Sequence, residues 1–437
     1  SEVTQTLRRL VTPGTGPAVD RATIVRLGAD CAADAPVADL VAELRRRHAR
    51  VLVHATLPWS ALAARGIAQC DALCWVVNAP DGDSDPARVA ALQELASHVR
   101  TPVTPRVLAL TPGIVAPAPS DARSATRRVP ITAEPDVRAA LAGPSSRRAL
   151  RAVARELAGR RTALVLGAGG AKGFAHVGAL RAFERHGVEF DAIAGTSIGA
   201  IVGALVAMGW SAETVEALFM GIAGNPWKTL FDLRVPTEAF FRSKKKSELI
   251  AQYCNGIHID QMNLPFFAVA GDLTALATVV FQAGPLDLAL DASSAIPTVF
   301  RPVRHEHRML VDGWVCDPLP AGVVRAAGFE RIVAVDLSPR GHPTIRAGAA
   351  APPPAVAPPG LGGRLRILAI AMRAMELASQ EHVARSLPLI DVLVRPDLDG
   401  FSSADLDGAA EMSRRGEQAA EEAMPAILDA LPTPAAN

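Results

Sequence analysis

The sequence predicts an α/β protein in which mostly parallel sheets are covered by helices. Three observations carry this reading. Apolar strand-like runs alternate with helix-length runs along most of the chain. Two of the strands break into glycines and then resume as helices, as the strands of a βαβ unit do. The chain has 437 residues, more than one hydrophobic core usually supports, so the pattern is expected to divide between two domains.

Residues 1–115 are predicted to form a small α/β domain. Strand-like runs begin at Ala22 (ATIVRLG), Ala49 (ARVLVHATL), Ala72 (ALCWVVNA) and Pro105 (PRVLALTPG), with helical runs from Val37 to Arg47 and from Asp85 to Val99. The first strand leads into Gly28 and then ADCAADAP, which is not a glycine fingerprint, so no nucleotide site is recognisable. Residues 116–145 shift to Pro, Ala, Ser and Arg and read as a linker.

Residues 146–437 read as the second α/β domain. A helix to Leu157 precedes a strand from Thr162 to Leu166 and a helix from Gly173 to His186, whose Phe174, Val177, Leu180 and Phe183 should lie against a sheet. The next strand, Phe190 to Ala194, runs into GTSIGA and a helix to Met208. Further strands are expected near Phe266, Ala277, Arg308 and Arg331. A Pro/Ala/Gly connection spans Ala347 to Gly363, and two helices (Arg364–Ser386 and Ala404–Ala423) flank a last strand from Asp391. No charged residue occurs between Asp191 and Glu213, a length nominally able to span a bilayer. That interval begins with Gly195, Thr196 and Ser197 and is rich in Gly and Ala, so a buried helix explains it better.

Charge and cysteine content exclude several functions. Lys plus Arg number 45 against 44 Asp plus Glu, so no global field draws nucleic acid. The five cysteines (Cys31, Cys70, Cys74, Cys254 and Cys316) form no CxxC pair, and Cys254 with His258 alone does not make a zinc site. No metal or cofactor is expected, and buried thiols suit a reducing, cytoplasmic setting. The N-terminus has no signal-peptide pattern and no Met, so the natural chain is expected to begin further upstream.

The two glycine turns are the candidates for chemistry. A P-loop needs G-x-x-x-x-G-K followed by Ser or Thr, but Lys172 is flanked by Ala171 and Gly173. The dinucleotide fingerprint starting at Gly167 and Gly169 finds Lys172 at its third glycine position. The turn Gly195-Thr196-Ser197-Ile198-Gly199, by contrast, fits G-x-S-x-G between a strand and a helix, where glycines let the chain turn sharply and expose a serine hydroxyl. Gly169 and Gly170, at the end of the neighbouring strand, could present backbone N–H groups to an oxyanion. For a base, His342 and His382 fall at a linker edge and among polar helix neighbours. Asp312, where the strand RMLV ends in Asp-Gly, suits the same sheet edge, although Asp-Gly is also a common turn pair.

These residues resemble the patatin-like phospholipase family, over about Arg147 to Leu428. The resemblance rests on GAGGAKGFAHVGAL as an oxyanion loop, GTSIG as the elbow, ASSAIPTVFRPV from Ala292 as a middle motif and DGW as an Asp-Gly motif. The region leading into them is similar to the neuropathy target esterase-like branch, which often carries a cyclic-nucleotide-binding domain upstream. The resemblance implies a three-layer α/β/α fold with a mostly parallel sheet. It implies a lysophospholipase or phospholipase-type esterase with Ser197 as nucleophile, Asp312 as base, and Gly169, Gly170 and Ala171 as oxyanion donors.

Trp314 stands where the family usually has Gly or Ala, so an indole is expected to narrow the acyl pocket or shift Asp312. That departure keeps open an alternative, a catalytically weak binding or scaffold protein that recruits partners or membrane. Lys172 reads first as packing and second as a headgroup contact, His176 as a hydrogen-bonded core histidine, and Ser293 and Ser294 as a helix cap or turn. The segment GNPWKTLFDLRVPTEAFFRSKKKSEL from Gly224 has two readings. Trp227, Phe231, Phe240 and Phe241 with Lys244, Lys245 and Lys246 could bring the site to a lipid surface as a peripheral contact. The other reading, which the composition favours, is a buried aromatic cluster followed by a solvated basic helix start.

Overall fold

The computed structural model describes residues 160–224, 243–262, 264–339 and 363–431, apart from 255 and 404. It also describes single positions at 152, 155, 239 and 241, and six strands before residue 132. The chain divides into two compact units, Ser1–Leu157 with Pro434–Asn437, and Ala158–Thr433.

In the first unit, β1 (Val11–Thr12), β2 (Ala22–Leu27) and β3 (Arg50–Ala55) form one sheet, and β4 (Cys74–Asn78), β5 (Arg106–Pro112) and β6 (Ala125–Ile131) another. The pairs β2–β3, β4–β5 and β5–β6 are parallel and β1–β2 is antiparallel, so the strands expected in one sheet fall in two. Strand β6 falls within residues 116–145, the segment expected to be a linker. Its core, RRVPI, pairs along the whole of β5 despite the Pro- and Ala-rich sequence before it.

The second unit is built on one sheet. Its strands are β7 (Thr162–Leu166), β8 (Ala192–Thr196), β9 (Phe266–Asp272), β10 (Ala277–Phe281), β11 (Val303–His305), β12 (Arg308–Asp312), β13 (Arg331–Val335) and β14 (Val392–Val394). The helices are α1 (Phe174–Arg185), α2 (Ile198–Ala207), α3 (Ala212–Gly224), α4 (Lys244–Cys254), α5 (Leu286–Ser293), α6 (Ala321–Ala326), α7 (Gly363–Ser386) and α8 (Ala409–Ala430). Strands β9, β8, β7, β13 and β14 are neighbours in that order and all parallel, while β10, β11 and β12 add antiparallel pairs.

Alternation along the buried strands sorts side chains into two cores. Leu164, Leu166, Ile193, Phe266, Val333 and Val335 face helices α1, α2 and α8, whereas Ala163, Val165, Ala194, Ile332 and Ala334 pack with Leu319, Val324 and Val383 on the other side. The result is the expected α/β/α sandwich with a mostly parallel sheet. The uncharged interval after Asp191 becomes β8 and the buried helix α2. Among the described residues no helix is long and apolar enough to cross a membrane.

Helices α1 and α8 touch backbone to backbone. A Cβ on Gly178 would collide with the Ser413 carbonyl, and one on Gly416 with the Ala175 carbonyl. The polar rim of this crossing is closed by Arg181 with Glu216 (2.7 Å) and Glu417, and by Arg185 with Glu417 and Glu421. Helices α3 and α6 and strand β11 are elements the sequence reading did not anticipate, whereas α4 begins at the basic run read as a helix start and α5 ends at Ser293, read as a helix cap or turn. Helix α8 also begins later than expected and runs on through Pro425.

The register at β9 positions the site. Ala268 pairs with both Gly195 of β8 and Phe281 of β10, and Ala270 pairs with both Asp312 of β12 and Val279 of β10. Because β10 occupies one edge of β9, β8 and β12 share the other. They approach from opposite directions and end on consecutive β9 residues, Thr196 against Val269 and Asp312 against Ala270.

Candidate active site

Ser197 lies at that meeting point, between the end of β8 and the first turn of α2. Its backbone adopts φ 57° and ψ −123°, a conformation an L-residue holds only when its surroundings enforce it. The glycines at either side explain how. A Cβ on Gly195 would strike the backbone of Gly199, and one on Gly199 would strike the Leu166 carbonyl, so the turn closes only around hydrogen atoms. The Thr196 hydroxyl donates to the Asp317 carbonyl at 2.7 Å and ties the turn to the segment after β12.

The Ser197 hydroxyl donates to Asp312 Oδ2 at 2.5 Å. The other carboxylate oxygen accepts the backbone N–H of Trp314 at 2.8 Å, so the Asp-Gly turn fixes the orientation of its own side chain. Asp312 is fully buried, and burial pushes its carboxyl up to about 7. The hydrogen bonds from Ser197 and Trp314 and the positive charge of Lys246 pull the other way without cancelling burial. Of the histidines considered as bases, His342 lies outside the described residues, and His382 sits on α7 with no hydrogen bond to Ser197.

Two further residues join the site that sequence reasoning did not assign to it. The Ser293 hydroxyl donates to the Val269 carbonyl at 2.6 Å and accepts the Ser197 N–H at 3.0 Å, bridging the strained elbow to β9. Lys246, read as part of a solvated basic run, is instead 4% exposed. Its ammonium lies 2.8 Å from Asp291 Oδ1, donates to the Asp291 carbonyl at 2.9 Å and to Ser294 Oγ at 3.1 Å, and stands 5.1 Å from the Phe300 ring centre. Burial lowers its proton affinity and Asp291 offsets part of that. Lys244 is the exposed member, 3.6 Å from Glu248 one turn along α4. Trp227, Phe231 and Phe240 lie outside the described residues.

The glycine loop follows β7. Gly170 is at φ 57°, where a Cβ would also collide with the Ser403 carbonyl. Ala171 differs from its expected role: its N–H donates to the Ser403 carbonyl at 2.8 Å and is therefore not turned toward an oxyanion. Gly169 and Gly170 have N–H groups without an acceptor among the described residues.

Lys172 is buried, 3.7 Å from Glu376 of α7. His176 is a core histidine, its Nε2 donating to the Gly167 carbonyl at 2.8 Å, and burial lowers its pKa to about 4, so the ring is neutral. A small cavity beside the loop is lined by Ala168, Gly169, Lys172, Trp314, Leu337 and Glu376. Trp314 lines this space, and the Asp312–Ser197 hydrogen bond is present beside it. Among the described residues no three His, Cys, Asp or Glu side chains converge as a metal site would require.

Comparison with known proteins places this geometry in context. Residues 164–325 match the family model described as patatin-like phospholipase. An uncharacterised NTE family protein of Mycobacterium tuberculosis is 31% identical over 298 residues, covering 65% of this chain and 50% of that protein. The lysophospholipase NTE1 of Mycosarcoma maydis is 34% identical over 190 residues, covering 42% of this chain and 10% of its own length. Patatin-like phospholipase domain-containing protein 7 of Rattus norvegicus is 35% identical over 198 residues, covering 43% and 14%. The chain thus spans half the length, or less, of these curated relatives. Among solved structures, VipD from Legionella pneumophila aligns over 62% of this chain and 67% of its own, with 13% identity and a TM-score of 0.35.

Proposed function

We propose, from the premise that residues 164–325 form a patatin-like phospholipase domain, that the protein is a serine hydrolase of lipid acyl esters, of the lysophospholipase type named among its relatives. The observation that carries the proposal is the buried 2.5 Å hydrogen bond from the hydroxyl of Ser197, on its strained turn, to Asp312. Ser197 Oγ attacks the ester carbonyl while Asp312 takes its proton, and the oxyanion so formed is met by the N–H groups of Gly169 and Gly170. Asp312 returns the proton to the departing alkoxide as the tetrahedral intermediate collapses to an acyl-enzyme. Water, deprotonated by the same carboxylate, then releases the fatty acid and regenerates Ser197.

An ordinary carboxylate is a weak base toward a serine hydroxyl. Burial of Asp312 raises its proton affinity to about 7, which narrows that mismatch near neutral pH. Trp314 and Ser293 hold the base and the nucleophile by their hydrogen bonds, so little reorganisation accompanies attack. A lipid substrate also implies peripheral contact with a membrane.

Fluorophosphonate labelling read by intact mass tests the proposal. The wild type should gain one phosphonyl adduct, and Ser197→Ala should gain none and should lose turnover of a short-chain aryl ester. A folded wild type that takes no label refutes the hydrolase reading and leaves the binding-protein alternative. Labelling that persists in Ser197→Ala refutes the choice of nucleophile.

A further inference from the structure

We propose that His176 is a positioning residue of the reaction: by holding the Gly167 carbonyl it fixes the oxyanion loop against the turn that carries Ser197. The proposal rests on the hydrolase reading above, which gives Gly169 and Gly170 their task. His176 lies in the first turn of α1, directly after the loop, and is fully buried, as are Ala175 and Val177 beside it. Its Nε2 donates to the Gly167 carbonyl at 2.8 Å, so Nδ1 carries the bare lone pair. That second nitrogen is buried and meets no donor among the described residues. A buried polar atom without a partner is destabilising, and phenylalanine or leucine at the same place would have none. Packing alone therefore does not account for an imidazole here, whereas the donor at Nε2 does.

Three parts of the site meet at the peptide that receives this bond. In a planar trans peptide the carbonyl of one residue and the N–H of the next point to opposite sides. The Gly167 carbonyl is held from α1 by His176, and the Ala168 N–H donates to the Pro318 carbonyl at 2.8 Å, on the segment that follows Asp312. The peptide plane is thus gripped at both edges. Its third neighbour is the elbow, since a Cβ on Gly199 would stand 2.2 Å from the Leu166 carbonyl and 2.7 Å from that of Gly167. The carbonyl that His176 binds is one of the two against which the turn of the nucleophile packs.

The remaining amides of the loop are committed elsewhere. Gly167 N–H donates to the Val335 carbonyl at 3.0 Å, Ala171 N–H to that of Ser403 at 2.8 Å, and Lys172 N–H back to Gly169 at 3.2 Å. From 167 to 172 this leaves the N–H groups of Gly169 and Gly170 without an acceptor among the described residues. Gly169 follows the gripped peptide directly, so rotation of that plane re-aims its N–H. An oxyanion donor acts only at about 2.7–3.1 Å from the developing charge, so a loosened grip weakens the transition state more than the ground state.

The full chain is compared as wild type, His176→Phe and His176→Gln, with a soluble short-chain aryl ester and with a trifluoromethyl ketone whose hemiketal oxyanion on serine mimics the tetrahedral intermediate. His176→Phe keeps a planar ring without the donor, and His176→Gln offers an amide N–H of similar reach. His176→Phe should lower kcat by about 10²-fold, the scale of a lost oxyanion donor, with KM unchanged. The ketone should bind more weakly by the same factor, and His176→Gln should recover most of both losses. A residue that served folding alone would change the unfolding temperature and the amount of active protein titrated with a fluorophosphonate. It would leave kcat per active site and ketone affinity untouched. A measurement on the wild type needs no variant to fold: nitrogen-15 NMR should show His176 as the Nε2–H tautomer.

Three results overturn the proposal: kcat and ketone affinity retained in a folded His176→Phe, equal losses in the Phe and Gln variants, or an Nδ1–H tautomer in the wild type. A wild type that neither turns over the ester nor takes the fluorophosphonate label refutes the hydrolase reading itself and removes the reaction that His176 would serve. The two failures are told apart by the activity of the unmodified protein.

Discussion

Replacing Asp312 by Asn should make the protein a poorer catalyst and a more stable fold, and both effects follow from one buried carboxyl. The substitution keeps the shape, and Asn Oδ1 can still accept the Trp314 N–H now 2.8 Å from the carboxylate. It removes the proposed base, so turnover should fall by about 10²-fold or more. It also removes a charge that the folded protein holds at a cost. The carboxyl titrates near 7 when buried, against 3.8 ordinarily, so the folded chain retains a proton that the unfolded chain releases between those values. Stability from this group is therefore complete below about pH 4, declines as pH rises, and is lost above about 7. The difference is on the order of 4 kcal/mol at pH 8.

Asn does not titrate, so the advantage of the variant should grow from near zero at pH 4 to its maximum at pH 8. For a domain of this size the maximum corresponds to a Tm gain on the order of 10 °C. Calorimetry of both proteins at pH 4, 6 and 8 reads the trend, and aryl-ester hydrolysis reads the base. A variant less stable than the wild type at pH 8, or a gain independent of pH, would refute the claim that Asp312 is held against its desolvation. Undiminished turnover would refute its role as base.

Lys246→Met should move the acidic limb of the kcat/KM–pH profile upward, because the ammonium is the cation that favours ionised Asp312; Cys316 is the other titratable side chain coupled to it. The loss should be greater at pH 6 than at pH 9, and an unmoved limb would show that Lys246 serves packing alone. Gly416→Ala should destabilise the α1–α8 crossing by about 1–3 kcal/mol or more, since its Cβ meets the Ala175 carbonyl rather than a side chain able to rotate away. Chemical denaturation of that variant measures the cost, and an unchanged midpoint would mean the helices can separate freely.

The neighbourhood of the site was legible where chemistry is local. G-x-S-x-G requires glycine at Gly195 and Gly199 for steric reasons that operate within five residues, so the turn can be read without knowing the fold. The same holds for the Asp-Gly turn, in which Asp312 accepts the N–H two residues on. Period-two and helical patterning likewise predicted the β7–α1–β8 unit, because each element must present one apolar face to the sheet. Short elements such as α5 and α6, of eight and six residues, carry too few turns for that pattern to emerge.

What the sequence by itself determined, then, was the α/β class, the elbow and the two residues whose side chains meet. Only the tertiary structure decided what surrounds them. Lys246 resembles its exposed neighbour Lys244 in sequence, and only the packing of α4 on α5 turns it inward to Asp291. Ser293 becomes a bridge because α5 ends beside β9, and Ala171 loses its free N–H because the chain returns at Ser403, 232 residues later. Residue type and local spacing specify backbone turns, but burial, proton affinity and hydrogen-bond partners arise from segments brought together by sheet register, and no short window of sequence contains both sides of such a contact.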